Sequence, residues 1–475
     1  MSRTVRLPAM AVVVVVVVGL ASPVATGALV KPGESAVTSA AGARSWVRLY
    51  NGPADGMDAA TALAASPAGK VIFVTGVSAS AKSSWDYATV AYAAGSGARL
   101  WVRRYSGPGK RRDQAAAVAV SPGGSRVFVT GSSRGVGSGP DYATVAYAAG
   151  TGAQLWARRY DDPSTSIDGA SSAAVSQDGN TVFVTGQSFN SGSGSFDCVT
   201  IAYNAATGTR KWLRRYRERV NINDLACRLA VGPAGRNVYV TGAGLRSYTI
   251  VAYGAATGRQ LWTRILPSSS HSLAQAASLA VSPQGARVYL TGEQQAGNPN
   301  PDYLTVSYSA ATGTRQWARR YTGTGISGDV ATAVAVSPDG RTVFVTGYSD
   351  APILGDEYAT LAYDAATGAR KWIAHYHGSG NLGGLASSMI VSPGGRTLYV
   401  TGTVETAKSQ MDYGTVAYDT VTGSQLWTAQ FTGPKAWSDQ ACCIAVSPSG
   451  STIFVTGSSE RPGHGADYGT VAYHR

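Results

Sequence analysis

Apolar stretches of strand length, separated by short runs of turn residues, recur along most of the chain. One copy begins at Asp329 and reads DVATAVAVSPDG, RTVFVTG, a variable loop, EYATLAYDAATGARK and WIAHY. Its apolar stretches are rich in Val, Tyr, Phe and Thr, which favour strands, and Gly, Pro, Asp and Ser separate them. The copy therefore predicts a unit of four antiparallel strands.

This unit recurs eight times, and each fourth stretch contains a tryptophan. The tryptophans are spaced by 50 to 56 residues and are Trp46, Trp101, Trp156, Trp212, Trp262, Trp317, Trp372 and Trp427. Repeats of about this length, built from four short strands, are typical of β-propellers, whose blades bury both faces against their neighbours. We therefore predict an all-β fold, an eight-bladed β-propeller of four-stranded antiparallel blades.

The two ends of the repeat region are complementary. Trp46 to Tyr50 reads as an outer strand without its own blade, whereas the last repeat stops at Thr470 to Tyr473 without an outer strand. We expect the N-terminal outer strand to join the C-terminal blade and close the ring. An open solenoid is the alternative, and it would leave both remnants unpaired.

Two kinds of connection alternate in each unit. The SPDG-type turn after the first strand and the TG turn before each tryptophan are short in every copy, and the other two connections vary. In an up-and-down sheet the short turns share one face of the ring, the short-turn face, and the variable loops share the other, the variable face. Loops that carry function are expected on the variable face. Glycine reaches φ > 0 in such turns at little cost, and the TG-turn glycines are Gly97, Gly152, Gly208, Gly258, Gly313, Gly368 and Gly423.

The beginning of the chain has the layout of a secretory signal peptide. A positive start precedes the mostly apolar run from Ala9 to Ala21, and small residues follow. We assign 1–28 to a signal peptide, 29–45 to a short linker and the start of the closing strand, and 46–475 to the propeller. An uncleaved anchor is the alternative, but the apolar run is short for a membrane span. We expect a secreted, extracellular or envelope-associated protein with no membrane span in its mature form.

The net charge of +13 and the pI near 9.6 suit a nucleic-acid-binding protein, but the positions of the arginines do not. The members of an arginine pair point to opposite faces of a strand. Charge on an exposed strand edge discourages strand addition, and some arginines are able to pair with acids. We expect no nucleic-acid partner; the expected partner is a protein, a glycan or an anionic component of the cell envelope. The arginine pairs follow the repeat tryptophans at Arg103 and Arg104, Arg158 and Arg159, Arg214 and Arg215, and Arg319 and Arg320.

The segment from the TG turn to the tryptophan resembles the tryptophan-docking motif of pyrroloquinoline quinone (PQQ) dehydrogenase propellers, A-x-D-x-x-T-G-x-x-x-W. Every fixed position of that motif is matched by Ala362, Asp364, Thr367, Gly368 and Trp372. The SPDGRTVFVTG part is similar to the YVTN-type repeats of bacterial and archaeal surface propellers. Together the resemblances cover Trp46 to Arg475 and imply a propeller with PQQ-like repeats.

Quinoprotein dehydrogenases of this shape have a catalytic Asp, Ca²⁺ ligands and a vicinal disulfide stacked on the cofactor, usually on long insertions. The resemblance would thus imply PQQ and Ca²⁺ as cofactors. Here the blades lack such long insertions, and no Ca²⁺ ligand set matches residue by residue. We therefore expect no cofactor and assign no catalytic residue.

Two adjacent cysteines near the variable face keep an enzymatic interpretation open. A vicinal disulfide close to aromatic planes would suit a flat ligand. The candidate ligand-binding residues on this rim are Trp437, Trp85, Cys442, Cys443, Asp439 and Asp58. The alternative is that both cysteines are free thiols in a tight core, where the second blade has Ala116 and Ala117.

The remaining cysteines leave their pairing open. Cys227 has the same position in its repeat as Cys442, which favours the free-thiol alternative for that position. Cys198 lies in the adjoining repeat and is able to pair with Cys227. The sequence does not decide between these arrangements.

Acidic residues recur in two rows on the variable face. The inner row begins the first strands at Asp58, Asp113, Asp168, Asp224, Asp329 and Asp439, and the third-strand row comprises Asp86, Asp141, Asp197, Asp302, Glu357, Asp412 and Asp467. Carboxylates around a channel suit Ca²⁺ or a cationic ligand. An acid repeated in each blade more often accepts hydrogen bonds from loop amides or an arginine, whereas a catalytic acid is normally single. We adopt the structural interpretation and leave the metal unknown.

No other motif indicates chemistry. His375 and His377 share one face of an outer strand and are expected to be solvated. The sequence contains no H-E-x-x-H or P-loop motif, and we assign no G-x-S-x-G nucleophile elbow. We predict a non-catalytic binding or scaffold protein that acts through its variable face, with a notch near Gly244 to Arg246. The alternatives are a PQQ-dependent dehydrogenase and a lactonase- or lyase-like propeller enzyme with a metal in the central channel.

Overall fold

The computed structural model describes residues 40–475 except 81–83, 138, 163–166, 193, 218–224, 245–246, 268–273, 296–299, 326, 352–354, 379, 381, 407–408, 435–437, 462 and 464. The described residues form eight four-stranded antiparallel sheets, which confirms the predicted all-β, eight-bladed propeller. The predicted signal peptide at 1–28 lies outside the described residues. Within the described part, no helix is long and apolar enough to cross a membrane.

The strands follow the predicted units closely. Blades 1 to 4 contain β2 (Asp58–Ala65), β3 (Val71–Ala79), β4 (Trp85–Ala93), β5 (Arg99–Tyr105); β6 (Asp113–Val120), β7 (Arg126–Arg134), β8 (Pro140–Ala148), β9 (Gln154–Tyr160); β10 (Asp168–Val175), β11 (Thr181–Asn190), β12 (Ser195–Asn204), β13 (Arg210–Tyr216); and β14 (Leu225–Val231), β15 (Asn237–Gly244), β16 (Ser247–Gly254), β17 (Gln260–Pro267). Blades 5 to 8 contain β18 (Ala274–Val281), β19 (Arg287–Gln295), β20 (Pro301–Ser309), β21 (Arg315–Tyr321); β22 (Asp329–Val336), β23 (Thr342–Ala351), β24 (Gly355–Asp364), β25 (Arg370–Tyr376); β26 (Gly384–Val391), β27 (Thr397–Thr406), β28 (Ser409–Asp419), β29 (Gln425–Phe431); and β30 (Asp439–Val446), β31 (Thr452–Arg461), β32 (Gly465–His474), β1 (Arg44–Tyr50).

Each sheet is a meander in which consecutive strands pair in order. The first strands of neighbouring blades contact each other, β2 with β6 and β30 with β2, which closes the ring. Apolar side chains from facing sheets form a separate core between each pair of blades. The core between blades 1 and 2, for example, joins Phe73 and Tyr87 to Val127 and Val129, all fully or almost fully buried. Both faces of a blade are therefore buried, as the apolar strands predict.

The repeat tryptophan fastens each blade to the next one. The Trp101 indole N–H donates to the Ala149 carbonyl oxygen of blade 2 at 2.9 Å. The same ring covers Gly152, which has φ = 69° and where a Cβ would lie 2.7 Å from the indole. Position 152 therefore needs glycine for both its backbone conformation and its lack of a side chain. Equivalent indole hydrogen bonds are donated by Trp46, Trp156, Trp212, Trp262, Trp317 and Trp372.

Blade 8 is assembled from both ends of the chain, as predicted. Strand β1 pairs antiparallel with β32 and begins two residues before Trp46, at Arg44. Where the other blades have a continuous TG turn, Gly42 N–H donates to the His474 carbonyl at 2.9 Å and His474 N–H to the Ala43 carbonyl at 2.9 Å. These bonds fix the ring closed. The tryptophan that faces this junction, Trp427, is only partly buried.

Candidate functional site

The loops that lead into the first strands of the blades are closed by buried carboxylates. One oxygen of each described inner-row aspartate accepts the backbone N–H of the residue six positions earlier: Gly52 to Asp58 at 2.6 Å, Gly107 to Asp113 at 2.7 Å, Asp162 to Asp168 at 3.1 Å, Gly323 to Asp329 at 2.6 Å and Gly433 to Asp439 at 2.6 Å. Burial raises the pKa of Asp58, Asp113 and Asp329, and it raises the pKa of Asp439 to about 6. The inner row thus holds loops in place, as the structural interpretation predicted. Asp224, the remaining member, lies outside the described residues.

The third-strand acids are bound by the second arginine of each pair. The ion pairs join Arg104 to Asp86 at 3.1 Å, Arg159 to Asp141 at 2.5 Å, Arg215 to Asp197 at 2.8 Å and Arg320 to Asp302 at 3.1 Å. In each pair the arginine and the acid belong to the same blade. Such charge-assisted bonds are stronger than neutral ones. The predicted pairing of some arginines with the acids is confirmed.

The first arginine of each pair has a different role from the one predicted. Arg103 donates from Nε to the Gly152 carbonyl and from Nη2 to the Thr151 carbonyl, both at 2.8 Å, and so holds the TG turn of the next blade. The expectation that these arginines protect an exposed strand edge is therefore incomplete, because they also join blades. The same contact with the next turn is made by Arg48, Arg158, Arg214, Arg264 and Arg319.

In blade 2 a row of polar side chains crosses all four strands. Arg159 donates to Asp141 and to Ser133 Oγ, both at 2.5 Å, and Ser133 lies opposite Asp113 on the first strand. Tyr105 from blade 1 lies 3.4 Å from the same guanidinium. The permanent cation therefore lies among acids that would otherwise be buried without compensation.

Blade 8 keeps the acids of this row but lacks its arginine. Leu49, three residues after Trp46, stands where Arg159 stands in blade 2. Arg461 from β31 contacts Asp467 instead, at 2.9 Å. Burial nevertheless raises the pKa of Asp467 to about 6, against the effect of Arg461. The buried carboxylates of blade 8 are thus less well compensated by positive charge than those of blade 2.

In blade 6 a histidine, His375, stands at the position of Arg159, three residues after the repeat tryptophan. His375 Nδ1 lies 2.6 Å from Glu357 Oε1, and His377 Nε2 lies 2.9 Å from Glu357 Oε2. The Glu357 side chain is only 7 % exposed. The expectation that the two histidines are merely solvated is wrong, because they share a buried carboxylate.

All four cysteines are in disulfides. Cys198 on β12 pairs with Cys227 on β14 and links blade 3 to blade 4, and Cys442 pairs with its neighbour Cys443. The free-thiol alternative is therefore wrong for this structure. Cys442 is the extra residue of a β-bulge in β30, and Cys443 is fully buried against the core between blades 8 and 1.

The candidate ligand-binding residues around this vicinal disulfide are partly engaged by protein contacts. The indole of Trp85 is covered by the guanidinium of Arg112, 3.9 Å from the ring centroid, and Trp437 lies outside the described residues. One carboxylate oxygen of Asp439 accepts the Gly433 amide, and Asp58 likewise closes its own loop. The other oxygen of each aspartate, Oδ1, is buried without a hydrogen-bond partner among the described residues.

One group of acids on the variable face has the spacing of a cation site. Oxygens of Asp141, Asp161 and Asp168 all lie within 4.8 Å of one another between blades 2 and 3. Two of them belong to the predicted rows, and Asp161 was not predicted. Arg159 binds Asp141 at 2.5 Å and already supplies a cation to this group.

The loop between blades 1 and 2 presents three consecutive basic residues. Lys110, Arg111 and Arg112 are exposed, and no ion pair involves them among the described residues. Asp113 holds the loop, since its carboxylate accepts hydrogen bonds from Gly107 N–H at 2.7 Å and from Arg134 N–H at 3.0 Å. Trp85 was predicted as a site residue, but the basic turn beside it was not, because the cation–π contact joins β4 of blade 1 to the loop that leads into blade 2.

The predicted notch falls where the strands of blade 4 are short. Strand β15 ends at Gly244 and β16 begins at Ser247, each strand having 8 residues. The corresponding strands of blade 7, β27 and β28, have 10 and 11 residues. Residues 245–246 lie outside the described residues.

Comparison with known proteins identifies the family. A family model described as outer membrane protein assembly factor BamB matches residues 32–294 and 198–354, so the chain belongs to this family. No curated protein matches the chain.

Solved structures show the same fold at low identity. Sqt1 from Chaetomium thermophilum, bound to the N-terminus of the ribosomal protein L10, has a TM-score of 0.58 at 13% identity, covering 90% of this chain and 98% of that one. The quinohemoprotein alcohol dehydrogenase from Comamonas testosteroni has a TM-score of 0.56 at 14% identity, covering 90% of this chain and 76% of that one. A binding protein and an enzyme are thus equally similar, and the fold alone does not decide the function.

Proposed function

We propose that this member of the BamB-described family is an exported, non-catalytic propeller that binds a protein, glycan or envelope component through its variable face. The observation that carries the proposal is the use of the inner-row carboxylates. Each described member accepts a backbone amide at the start of its loop, so the bases of these loops are held in place. Loops with fixed bases lose less entropy on binding, which is what a recognition surface needs.

Two of the comparisons favour a binding role. The family description names an assembly factor, a role in which a protein contacts other proteins. The Sqt1 propeller binds a peptide segment, which shows that a disc of this kind suits such a role. Export is proposed on the N-terminal sequence pattern, and N-terminal sequencing of the mature protein should find cleavage after Gly27 or Ala28.

A loop exchange tests the proposal without disturbing the fold. The loops 51–57 and 106–112 both have φ = 48° at the residue three positions before the inner-row aspartate, Asp55 and Lys110. Replacing Lys110–Arg112 by the sequence of Asp55–Met57 removes the basic turn and keeps Gly109, where a Cβ would lie 2.5 Å from the Gly135 carbonyl oxygen. We expect loss of partner capture from the envelope fraction with an unchanged melting temperature.

The control for this exchange lies on the opposite face. Leu426→Gln changes an exposed side chain beside a short turn and should leave partner capture intact. Full capture by the loop-exchange variant and by a variant that also lacks the other variable loops would refute the proposal.

The vicinal disulfide Cys442–Cys443 is the observation that favours a quinoprotein dehydrogenase as a second candidate. Thermal unfolding with PQQ plus Ca²⁺, and with Ca²⁺ alone, separates the candidates. A ligand at a hundredfold excess over its Kd adds about 2.7 kcal/mol to the free energy of unfolding. We expect no shift; stabilisation that needs both additives would favour the dehydrogenase, and stabilisation by Ca²⁺ alone would favour a metal-dependent propeller enzyme.

A further inference from the structure

The short-turn face carries many of the exposed basic residues of the molecule. In each blade the two short turns are hydrogen-bonded to each other, for example Ala94 N–H to the Lys70 carbonyl at 2.9 Å. Basic residues that follow either turn therefore lie on one face. Thirteen exposed basic residues occur there: Arg44, Lys70, Arg99, Arg210, Lys211, Arg236, Arg259, Arg315, Arg341, Arg370, Lys371, Arg396 and Arg475.

These basic residues outnumber the acids on the same face. Among the described residues, none of the thirteen side chains forms an ion pair. The acids of the same face are Asp178, Asp339, Asp364 and Asp419, and each accepts hydrogen bonds within its own turn, which lower its pKa. On the variable face, by contrast, several arginines and acids bind each other, and the exposed basic turn Lys110–Arg112 is the exception named above. The molecule is therefore polarised, with one face strongly positive.

Exposed apolar side chains accompany the basic ones. Leucine precedes the repeat tryptophan in four blades, beside the TG turn, and it is exposed in each: Leu100, Leu155, Leu261 and Leu426. Val421, in the TG turn of blade 7, is 80% exposed. Basic residues interspersed with exposed apolar ones are the combination that binds the interface of an anionic bilayer.

The shape of this face favours a planar partner over a chain. The SPDG-type turns repeat the same hydrogen bond, Gly69 N–H to the Ser66 carbonyl and Gly340 N–H to the Ser337 carbonyl, each at 2.8 Å. The TG turns likewise repeat theirs, as in Gly97 N–H to the Ala93 carbonyl at 2.8 Å. Equal turns around the ring give a face without protruding loops, and its charges are distributed around the whole ring. A linear polymer would contact only part of such a ring.

We propose that the short-turn face docks on an anionic phospholipid surface and leaves the variable face free for its partner. This inference goes beyond the proposed function, because it concerns the opposite face and a lipid. Each basic residue close to an anionic surface contributes roughly a fivefold increase in binding. Bound protein is therefore oriented, with its variable loops pointing away from the membrane.

Co-sedimentation with vesicles tests the proposal. The full-length mature protein should bind vesicles of phosphatidylcholine mixed with phosphatidylglycerol and not vesicles of phosphatidylcholine alone. Binding should be lost in about 1 M NaCl, where the Debye length falls to about 3 Å. Equal binding to both vesicle types would overturn the proposal.

Two triple variants with the same loss of charge identify the face. Arg210→Gln, Arg315→Gln and Arg370→Gln remove three charges from the short-turn face, and the matched control removes three from the variable face with K110Q, R111Q and R112Q. We expect about a tenfold or greater loss of vesicle binding for the first variant only. Equal losses would show a net-charge effect without a specific face, and a larger loss in the control would place docking on the variable face; either result overturns the proposal.

Two further experiments distinguish an anionic lipid surface from other ligands of the short-turn face. Leu155→Gln with Leu426→Gln should weaken vesicle binding and leave its salt dependence unchanged; unchanged binding would overturn the apolar contribution. Dextran sulfate represents a linear polyanion, and tighter binding to it than to vesicles of equal charge would overturn the lipid assignment. Because the loop exchange at 110–112 tests the proposed function on the other face, either proposal can fail without the other.

Discussion

Blades 2 and 8 have the same strand order, but blade 2 is continuous and blade 8 joins the two ends of the chain. At the TG turn of blade 2, Gly152 N–H donates to the Ala148 carbonyl at 2.8 Å. At the junction of blade 8, Gly42 N–H donates to the His474 carbonyl at 2.9 Å. The backbone hydrogen bond of the turn is thus reproduced in blade 8, although the two ends of the chain are not covalently joined there.

The side chains of the two blades differ more than their backbones. Blade 2 has Arg159 between Tyr105 and Asp141. At the equivalent interface of blade 8, Leu49 stands in place of Arg159 and Phe431 stands in place of Tyr105. Backbone pairing closes the ring by geometry alone, whereas the polar row depends on a single side chain of the outer strand. The closing blade therefore has a secure backbone and an incompletely compensated set of buried acids.

Removing the closing strand β1 should lower the stability of the protein more than any other change to blade 2 or blade 8. A chain that starts at residue 52 lacks β1 and leaves the aromatic partners of Trp46 and Tyr50, which are Phe454 at 6.0 Å and Tyr468 at 5.2 Å, without their contacts. We expect loss of the cooperative thermal transition in circular dichroism. A chain that starts at residue 40 should unfold as the full chain does. Cooperative unfolding of the shorter chain at an unchanged temperature would show that blade 8 is stable with three strands.

The pH dependence of stability should distinguish the two polar rows. Burial raises the pKa of Asp467 in the folded state from its ordinary value of about 3.8 to about 6, so between these pH values the folded state holds a proton that the unfolded state has lost. The contribution of Asp467 to the free energy of unfolding is therefore most favourable at low pH and falls as the pH rises from about 4 to about 6. Asp467→Asn should gain roughly 2 kcal/mol relative to the wild type between pH 4 and pH 7.

The same substitution in blade 2 is the matched control for Asp467→Asn. Asp141→Asn weakens the charge-assisted bond to Arg159 and should destabilise the protein at pH 7 by about 1–3 kcal/mol. Urea denaturation at several pH values measures both effects. Destabilisation by both substitutions at pH 7 would show that Arg461 compensates Asp467 as fully as Arg159 compensates Asp141.

Restoring the missing polar pair should make blade 8 resemble blade 2. A shallow pocket of about 360 Å³ lies at this interface, lined by Leu49 and Phe431 among others. Leu49→Arg with Phe431→Tyr places a guanidinium there and should stabilise the protein at pH 7 by about 1 kcal/mol. Leu100→Arg adds the same charge at an exposed site and should have little effect. Equal effects of both variants would indicate that net charge, and not the row, is responsible.

Much of the backbone was predictable because its signals are local. Strand length, turn residues and the spacing from Trp46 to Trp427 predict eight blades, and the remnants at both ends predict the closure. The loop-closing role of the inner-row aspartates was also predictable, since the same residue at the same place in each blade indicates a repeated structural role.

The contacts of charged side chains were less predictable because they cross between blades. Arg103 reaches a turn 49 residues away, and His375 meets Glu357 only because neighbouring strands place them together. The basic short-turn face was missed for the same reason. Its members are isolated in sequence, one or two per turn, and only the ring brings them onto one surface.

The smallest effect is expected where blade 8 differs from blade 2 by its cysteines. Blade 2 has Ala116 and Ala117 at the positions of Cys442 and Cys443, so C442A with C443A converts one arrangement into the other. A bridge between adjacent residues closes almost no loop of the unfolded chain, and its loss should lower the free energy of unfolding by less than about 1 kcal/mol. The Cys198–Cys227 bridge spans a sequence separation of 29 and joins two blades, so C198A with C227A should lower it by about 3 kcal/mol. Urea denaturation of both double variants checks this ranking, and a loss of several kcal/mol on removing the vicinal pair would mean that the bulge at the centre of blade 8 needs the bridge to keep its shape.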